Sequence, residues 1–236
     1  MFEAILFDLD GTLLDIDMDY FLPLYFEKMV LMGEKYGFDN MQEMVKQVFN
    51  STSVMMADTN LRITNEEIFL QDFLDKCDHL TRDKTLEFFD HFYNDGFPKL
   101  SKYAKPFPGI LEMMENLFKE ERKIVIATNS VFPHTAIQQR LDWAGVGHFD
   151  YDLITSYEVM HACKPKFSYY EEIATIIGVD PKNCLMVGND IGEDLVAGKI
   201  GMKTFLVEDR LIDKGIDIKP NFKGNLESLF RFMEQI

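Results

Sequence analysis

Cysteine is scarce in this chain, and its placement excludes two kinds of scaffold. Cys77, Cys163 and Cys184 are odd in number and widely spaced, and no CxxC pair or Cys/His cluster occurs. Neither a disulfide framework nor a structural zinc site organises such a sequence, so three reduced, mostly buried thiols are expected. Long apolar runs are missing as well: no stretch of about eighteen apolar residues is present to span a bilayer. The first residues bring acids at Glu3, Asp8 and Asp10 and no basic segment, which is unlike a signal peptide. Positive charge is in short supply, with Lys plus Arg at 24, Asp plus Glu at 40 and a formal net charge of -16. A surface of that sign repels nucleic-acid backbones and anionic lipid heads, and no local basic patch offsets it. We therefore expect a soluble cytoplasmic protein, monomeric or weakly dimeric, with no nucleic-acid or membrane partner. A small anionic substrate is repelled too, unless a bound cation and a well-placed lysine meet it at the site itself. Internal repeats and low-complexity tracts are also absent.

What is present starts with an ordinary globular composition, 47% hydrophobic and 27% charged, over 236 residues. That is enough for a core domain plus a smaller one. Near the amino terminus a short apolar run, Ala4 to Phe7, leads into Asp8-Leu9-Asp10-Gly11-Thr12. An apolar run bounded by a Gly turn signal reads as a buried strand, and Gly11 permits a sharp turn after it. Side chains alternate along a strand, so Asp8 and Asp10 start from one face for as long as the extended geometry lasts. Two acids held that close repel and do not both ionise cheaply. The pair therefore points to a metal site, to a nucleophile beside a general acid, or to both.

Beyond Leu14 the pattern turns helical. Phe21, Tyr25, Met29, Met32 and Tyr36 recur at steps of three and four, with Gly37 as a stop. Further helices are predicted at about 40 to 57, 65 to 77 and 83 to 94, the second opened by Asn65 with Glu66 and Glu67 in its first turn. Residues 15–104 thus read as an all-helical insert. Its methionines, Met55 and Met56 included, are expected as core filler, and Lys46, Arg62 and Lys76 are expected on its surface. From Lys105 short strands and helices alternate: strands at 123–127, 152–155, 185–187 and 204–207, helices at about 110–117, 134–144, 167–177 and 225–235, and a helix toward Gly198. Such alternation argues for a parallel sheet covered on both faces, an α/β, Rossmann-like doubly wound core made of 1–14 and 105–236.

Asp8 and Asp10, Thr128 with Asn129, Lys164, and Asp190 with Asp194 all follow strand candidates, so one mouth at the carboxyl ends of the strands collects them. With this order the chain resembles the haloacid dehalogenase-like superfamily, in its helical-capped phosphatase branch. The resemblance implies a Mg2+-dependent phosphomonoesterase that acts on a small phosphorylated metabolite through an aspartyl-phosphate. It implies Asp8 as nucleophile, Asp10 as acid/base, Thr128, Asn129 and Lys164 as phosphate contacts, and Asp8, Asp10 and Asp190 at the metal. Where many relatives read Gly-Asp-Ser, this chain reads Gly188-Asn189-Asp190, which leaves either Asn189 or Asp190 at the ligand position, with Asp194 in support. A phosphomutase of the β-phosphoglucomutase type ranks lower, for want of matching sugar-binding residues in the insert. Dehalogenation ranks lower still, because those relatives lack the second acid. A non-catalytic regulatory protein conflicts with the complete acid, Thr and Lys set. His134, close in sequence to the Thr128 loop, is read as a helix-start or surface residue.

Overall fold

In the computed structural model, which describes residues 2–77 and 80–236, the strands are β1 (Ala4–Phe7), β2 (Leu14–Asp15), β3 (Lys105–Pro106), β4 (Lys123–Ile126), β5 (Leu153–Ile154), β6 (Cys184–Gly188), β7 (Lys203–Val207) and β8 (Phe222–Gly224). Six of them form one sheet in the order β5-β4-β1-β6-β7-β8, every pairing parallel, while β2 and β3 pair antiparallel as a separate ribbon. β8 is a sixth strand that the sequence did not announce, because Phe222-Lys223-Gly224 is short and largely exposed and shows no apolar run. The ribbon escaped for a similar reason: two-residue strands have no period to detect.

Alternation along the central strands divides the interior. Ile5 and Phe7 of β1, Ile124 and Ile126 of β4, and Leu185 and Val187 of β6 face one apolar layer; Ala4, Leu6, Val125, Cys184 and Met186 face the other. All four β1 residues are fully buried. At about 1.5–3 kcal/mol for a large apolar side chain, this strand is among the best-anchored parts of the molecule.

The helices are α1 (Met18–Lys35), α2 (Met41–Ala57), α3 (Asn65–Lys76), α4 (Arg82–His91), α5 (Ile110–Leu117), α6 (His134–Trp143), α7 (Phe167–Ile177) and α8 (Leu226–Met233). α5, α6 and α8 pack on the first layer and α7 on the second, so the sheet is doubly wound as expected. Between β2 and β3 the described elements are all helical, giving the inserted helical cap. Asp17, Thr64 and Thr81 open α1, α3 and α4 by accepting N–H groups of their first turns. Thr64, and not Asn65, is therefore the cap of α3. In α1 the buried stripe runs Phe21, Tyr25, Met29, Gly33; Tyr36 falls outside the helix and is exposed. α4 stops at His91, ahead of the predicted end, and the chain passes through a π turn, Phe92–Gly96, into a 3-10 stretch, Phe97–Tyr103, where Pro98 has no N–H to continue an α-helix. The helix toward Gly198 is likewise 3-10, over Asp194–Ile200.

Candidate active site

Strand order reverses at β1. Its neighbours β4 and β6 lead away to opposite edges, so the loops that follow them part and leave a crevice above the carboxyl ends. Register sets Phe7 level with Ile126 and Val187, so Asp8 leaves its strand beside Ala127 and Gly188, with Thr128 and Asn189 one residue further along. Two bonds tie these exits together: Asp8 N–H donates to the Val187 carbonyl at 2.9 Å, and Ala127 N–H to the Phe7 carbonyl at 2.7 Å.

Lys164 arrives from the segment before α7 and is 1% exposed. Its Nζ donates to Asp8 Oδ1 at 2.8 Å and to Asp194 Oδ1 at 2.6 Å. Burial alone would strip the ammonium of its charge, but Asp194 and Asp8 outweigh it and hold the lysine well above its ordinary pKa. Burial pushes the Asp194 carboxyl up to about 7 against the pull of Lys164. The lysine, gripped by two carboxylates, keeps its charge. Asp194 Oδ2 also accepts the Asp190 N–H at 2.9 Å. Gly188 is what allows this approach, since a Cβ there would lie 2.1 Å from Asp194 Oδ2.

Asp10 takes a different direction from Asp8. The extended geometry ends at Phe7, and the Leu9 carbonyl accepts the N–H groups of Thr12, Leu13 and Leu14 in a tight turn. Gly11 makes the turn at φ +86°. A shared face held only for as long as the strand did, and beyond its end the two acids take separate partners: Asp8 pairs with Lys164, and Asp10 pairs through Oδ2 with Arg140 of α6. Asp10 Oδ1 is buried without a protein partner. Burial pushes the Asp10 carboxyl above its ordinary range, Arg140 pulls it back, and the charge of Asp8 pushes it up again. Arg140 is fully buried, stacks over the Phe132 ring at 4.5 Å and donates from Nε to the Ala136 carbonyl at 3.3 Å.

Sequence reasoning missed Arg140, although a signal existed. Ala136, Ile137, Arg140, Leu141 and Ala144 make one buried stripe, and an arginine at such a position needs a buried acid. Thr12 was also passed over: fully buried, it donates to Asn189 Oδ1 at 3.1 Å and lies 3.4 Å from Asp8 Oδ2. Glu193 is a third omission. It accepts Asn129 Nδ2 at 3.1 Å, and burial raises its carboxyl.

Thr128 is 3% exposed, and its carbonyl accepts Tyr169 OH at 2.6 Å and Thr155 Oγ1 at 2.7 Å, which fixes the loop. Asn129 Oδ1 is buried and unpartnered. Asn189 and Asp190 part company. Asn189 Oδ1 meets Thr12 beside Asp8, while Nδ2 donates to the Arg210 carbonyl at 2.6 Å. Asp190 Oδ1 accepts the N–H groups of Gly192 and Glu193 at 2.7 and 3.0 Å, and its Oδ2 faces Lys214 at 3.2 Å. Thr12 thus joins Asn189's oxygen to Asp8, while Asp190, our expected ligand, is largely engaged within its own turn and by Lys214. Among the described residues no three His, Cys, Asp or Glu side chains gather as a metal cage.

These residues floor a cavity of about 860 Å³ that is roofed by α1, α2, α3 and α4. Asp8, Asp10, Thr128, Asn129, Asn189, Asp190 and Asp194 all line it. Met55 is buried in the core, whereas Met56 lines the cavity. Lys46, Arg62 and Lys76 are exposed and none lines it. His134 is exposed at the start of α6, where its N–H donates to Glu158 at 2.9 Å. Of the described helices none is long and apolar enough to cross a membrane.

Comparison with known proteins places this arrangement. A pyrophosphatase of Oceanobacillus iheyensis is 26% identical over 203 residues, covering 84% of this chain and 78% of its own. A phosphoglycolate phosphatase of Aquifex aeolicus is 28% identical over 205 residues, covering 86% and 84%. The crystal structure of a HAD phosphatase from Thermococcus onnurineus superposes with a TM-score of 0.60 at 19% identity, over 98% of this chain and 97% of that one, a likeness of fold. The profile of the haloacid dehalogenase-like hydrolases matches residues 2–200, and with it the chain is assigned: it is a member of that hydrolase family.

Proposed function

We propose that this chain is a magnesium-dependent phosphomonoesterase working through an aspartyl-phosphate on Asp8. The observation that carries the reading is the buried Asp8–Lys164–Asp194 chain at the strand switch point: both carboxylates line the cavity floor, and a buried ammonium is fixed between them. Curated relatives with phosphatase and pyrophosphatase names support it. Residues 15–104 serve as the cap over a core of 1–14 and 105–236.

The donors near Asp8 suit a hard cation: its carboxylate, the Asp10 backbone carbonyl and the Asn189 side-chain oxygen, with Asp190 alongside. Magnesium keeps several waters and shares substrate oxygens, so it needs no preformed protein cage. When bound, the ion neutralises phosphate charge and holds the ester against Asp8. Lys164 holds a second phosphate oxygen, and the Thr128 hydroxyl and the N–H groups of its loop donate to the others. Asn129 acts through its main chain, because its amide nitrogen is committed to Glu193. An oxygen of Asp8 attacks phosphorus in line; the new O–P bond forms as the ester O–P bond breaks. Asp10 serves as acid and base in turn: it gives a proton to the departing alkoxide, then takes one from the water that hydrolyses the acyl-phosphate. Its unpartnered Oδ1 is the oxygen left available for that exchange, since Oδ2 is held by Arg140.

The test is magnesium-dependent phosphate release from a generic aryl phosphate. Release should be abolished in Asp8→Asn and by chelation. Activity that persists in Asp8→Asn removes Asp8 from the nucleophile's role.

A further inference from the structure

The roof of the cavity differs in chemistry from its floor. Leu22, Tyr25 and Phe26 of α1, Val48, Phe49 and Met56 of α2, and the rings of Phe69, Phe89 and Tyr93 supply its surface. Among the described residues, no lysine, arginine or histidine of the cap lines it. The two cations at its wall, Arg210 and Lys214, come from the far side and already face Asp15, Asp17 and Asp190. A second carboxylate or phosphate on the leaving group would therefore be desolvated without a partner, beside Asp17 and Asp19. Polyols fare little better. The Tyr25 and Tyr93 hydroxyls are bonded to each other at 2.8 Å, and the Thr52 hydroxyl donates to the Val48 carbonyl at 2.8 Å. Of these three hydroxyls two spend their one donor on these bonds, so hydroxyls brought in from water would find few donors on the roof. Aromatic surface suffers no such loss, and edge and face contacts with these rings favour it. The cavity, at about 860 Å³, has room well beyond a phosphate group.

We infer that the substrate is the phosphate monoester of an uncharged aromatic alcohol. This rests on the phosphomonoesterase reading and adds the class of leaving group to it. It departs from the anionic substrates named for the pyrophosphatase and phosphoglycolate phosphatase relatives.

The experiment compares kcat/KM of the intact chain with Mg2+ on naphthylmethyl phosphate, phosphoglycolate, a hexose phosphate and phosphocholine. Naphthylmethyl phosphate leaves as an ordinary alkoxide, so its intrinsic reactivity does not mimic recognition. It should lead the others by about tenfold to a hundredfold. Phe49, 61% exposed at the rim, can be cut back without threatening the core. Phe49→Ala should lower the ratio of naphthylmethyl phosphate to phosphoglycolate, and Thr52→Lys, which supplies the missing cation, should lower it further. Turnover led by phosphoglycolate, the hexose phosphate or phosphocholine overturns the aromatic class and leaves the phosphomonoesterase reading intact. Release from no ester at all overturns the phosphomonoesterase reading. The aromatic class is then judged by calorimetry on Asp8→Asn: tighter binding of naphthylmethyl phosphate than of phosphoglycolate supports it, and equal or weaker binding sinks it.

Discussion

Arg140 shows what one residue contributes when its partner is buried with it. A guanidinium with no exposure is tolerated because Asp10 lies against it, and removing either leaves an uncompensated charge. Arg140→Ala should cost about 3–5 kcal/mol in metal-free chemical denaturation at neutral pH, and Asp10→Asn in the same background should recover part of it. The pH dependence has a definite sign. Asp10's folded pKa lies above its ordinary value and rises further once Arg140 is gone, so the folded variant holds a proton that the unfolded chain releases. Its stability should be highest in acid and fall as pH rises through that folded value; a flat difference from wild type across this range would exclude Asp10 as the charge concerned. Asn189 and Asp190 pose a second question at this scale. With Asn189 leaning to Asp8 through Thr12, Asn189→Asp should lower the Mg2+ concentration for half-maximal activity, and Asp190→Asn should raise it less than Asn189→Ala does. The opposite ranking would return the direct role to Asp190.

At the level of elements, the contact between α3 and the core loops repays most notice. Thr64 caps the helix, which frees Asn65 to point inward. Asn65 Nδ2 donates to Ser130 Oγ at 2.9 Å and to the Ala162 carbonyl at 3.2 Å, while the N–H groups of Asn65 and Glu66 reach the Met160 and Tyr157 carbonyls at 2.8 Å each. Lys166 adds a bond to the Asp58 carbonyl. The cap is thus stitched to the loop after β4 and to the Lys164 segment, the two pieces proposed to bear on phosphate. Asn65→Ala should lower stability by about 1–3 kcal/mol, read as a shift of the denaturant midpoint, because it strands buried acceptors. An unchanged midpoint would mean that water replaces the amide and that the cap is held elsewhere.

For the whole molecule the governing quantity is a net charge of -16 on a protein that is proposed to bind an anion. Repulsion during approach is screened by salt, whose Debye length falls to about 10 Å near 0.1 M. In saturating Mg2+, kcat/KM should therefore rise with KCl by about two- to tenfold before it levels off; a fall would show that a local positive field dominates the approach. The same scale separates what was legible in the chain from what was not. The buried run Ala4–Phe7, the alternation after Lys105 and the order Asp8, Thr128, Lys164, Asp190 are local patterns, and local patterns specify elements and the residues at their exits. The parallel core and the helical insert could be read from these. Partners are another matter, because they depend on which loops meet across the sheet. That Asp8 takes Lys164 while Asp10 takes Arg140, that Asn189 is joined to Asp8 through Thr12, and that among the described residues the cap presents rings and no cation to the cavity were settled by tertiary packing. The physical reason is that side-chain period ends where a strand ends: beyond Phe7 the Leu9 turn, and not the sequence spacing, decides where each carboxylate points.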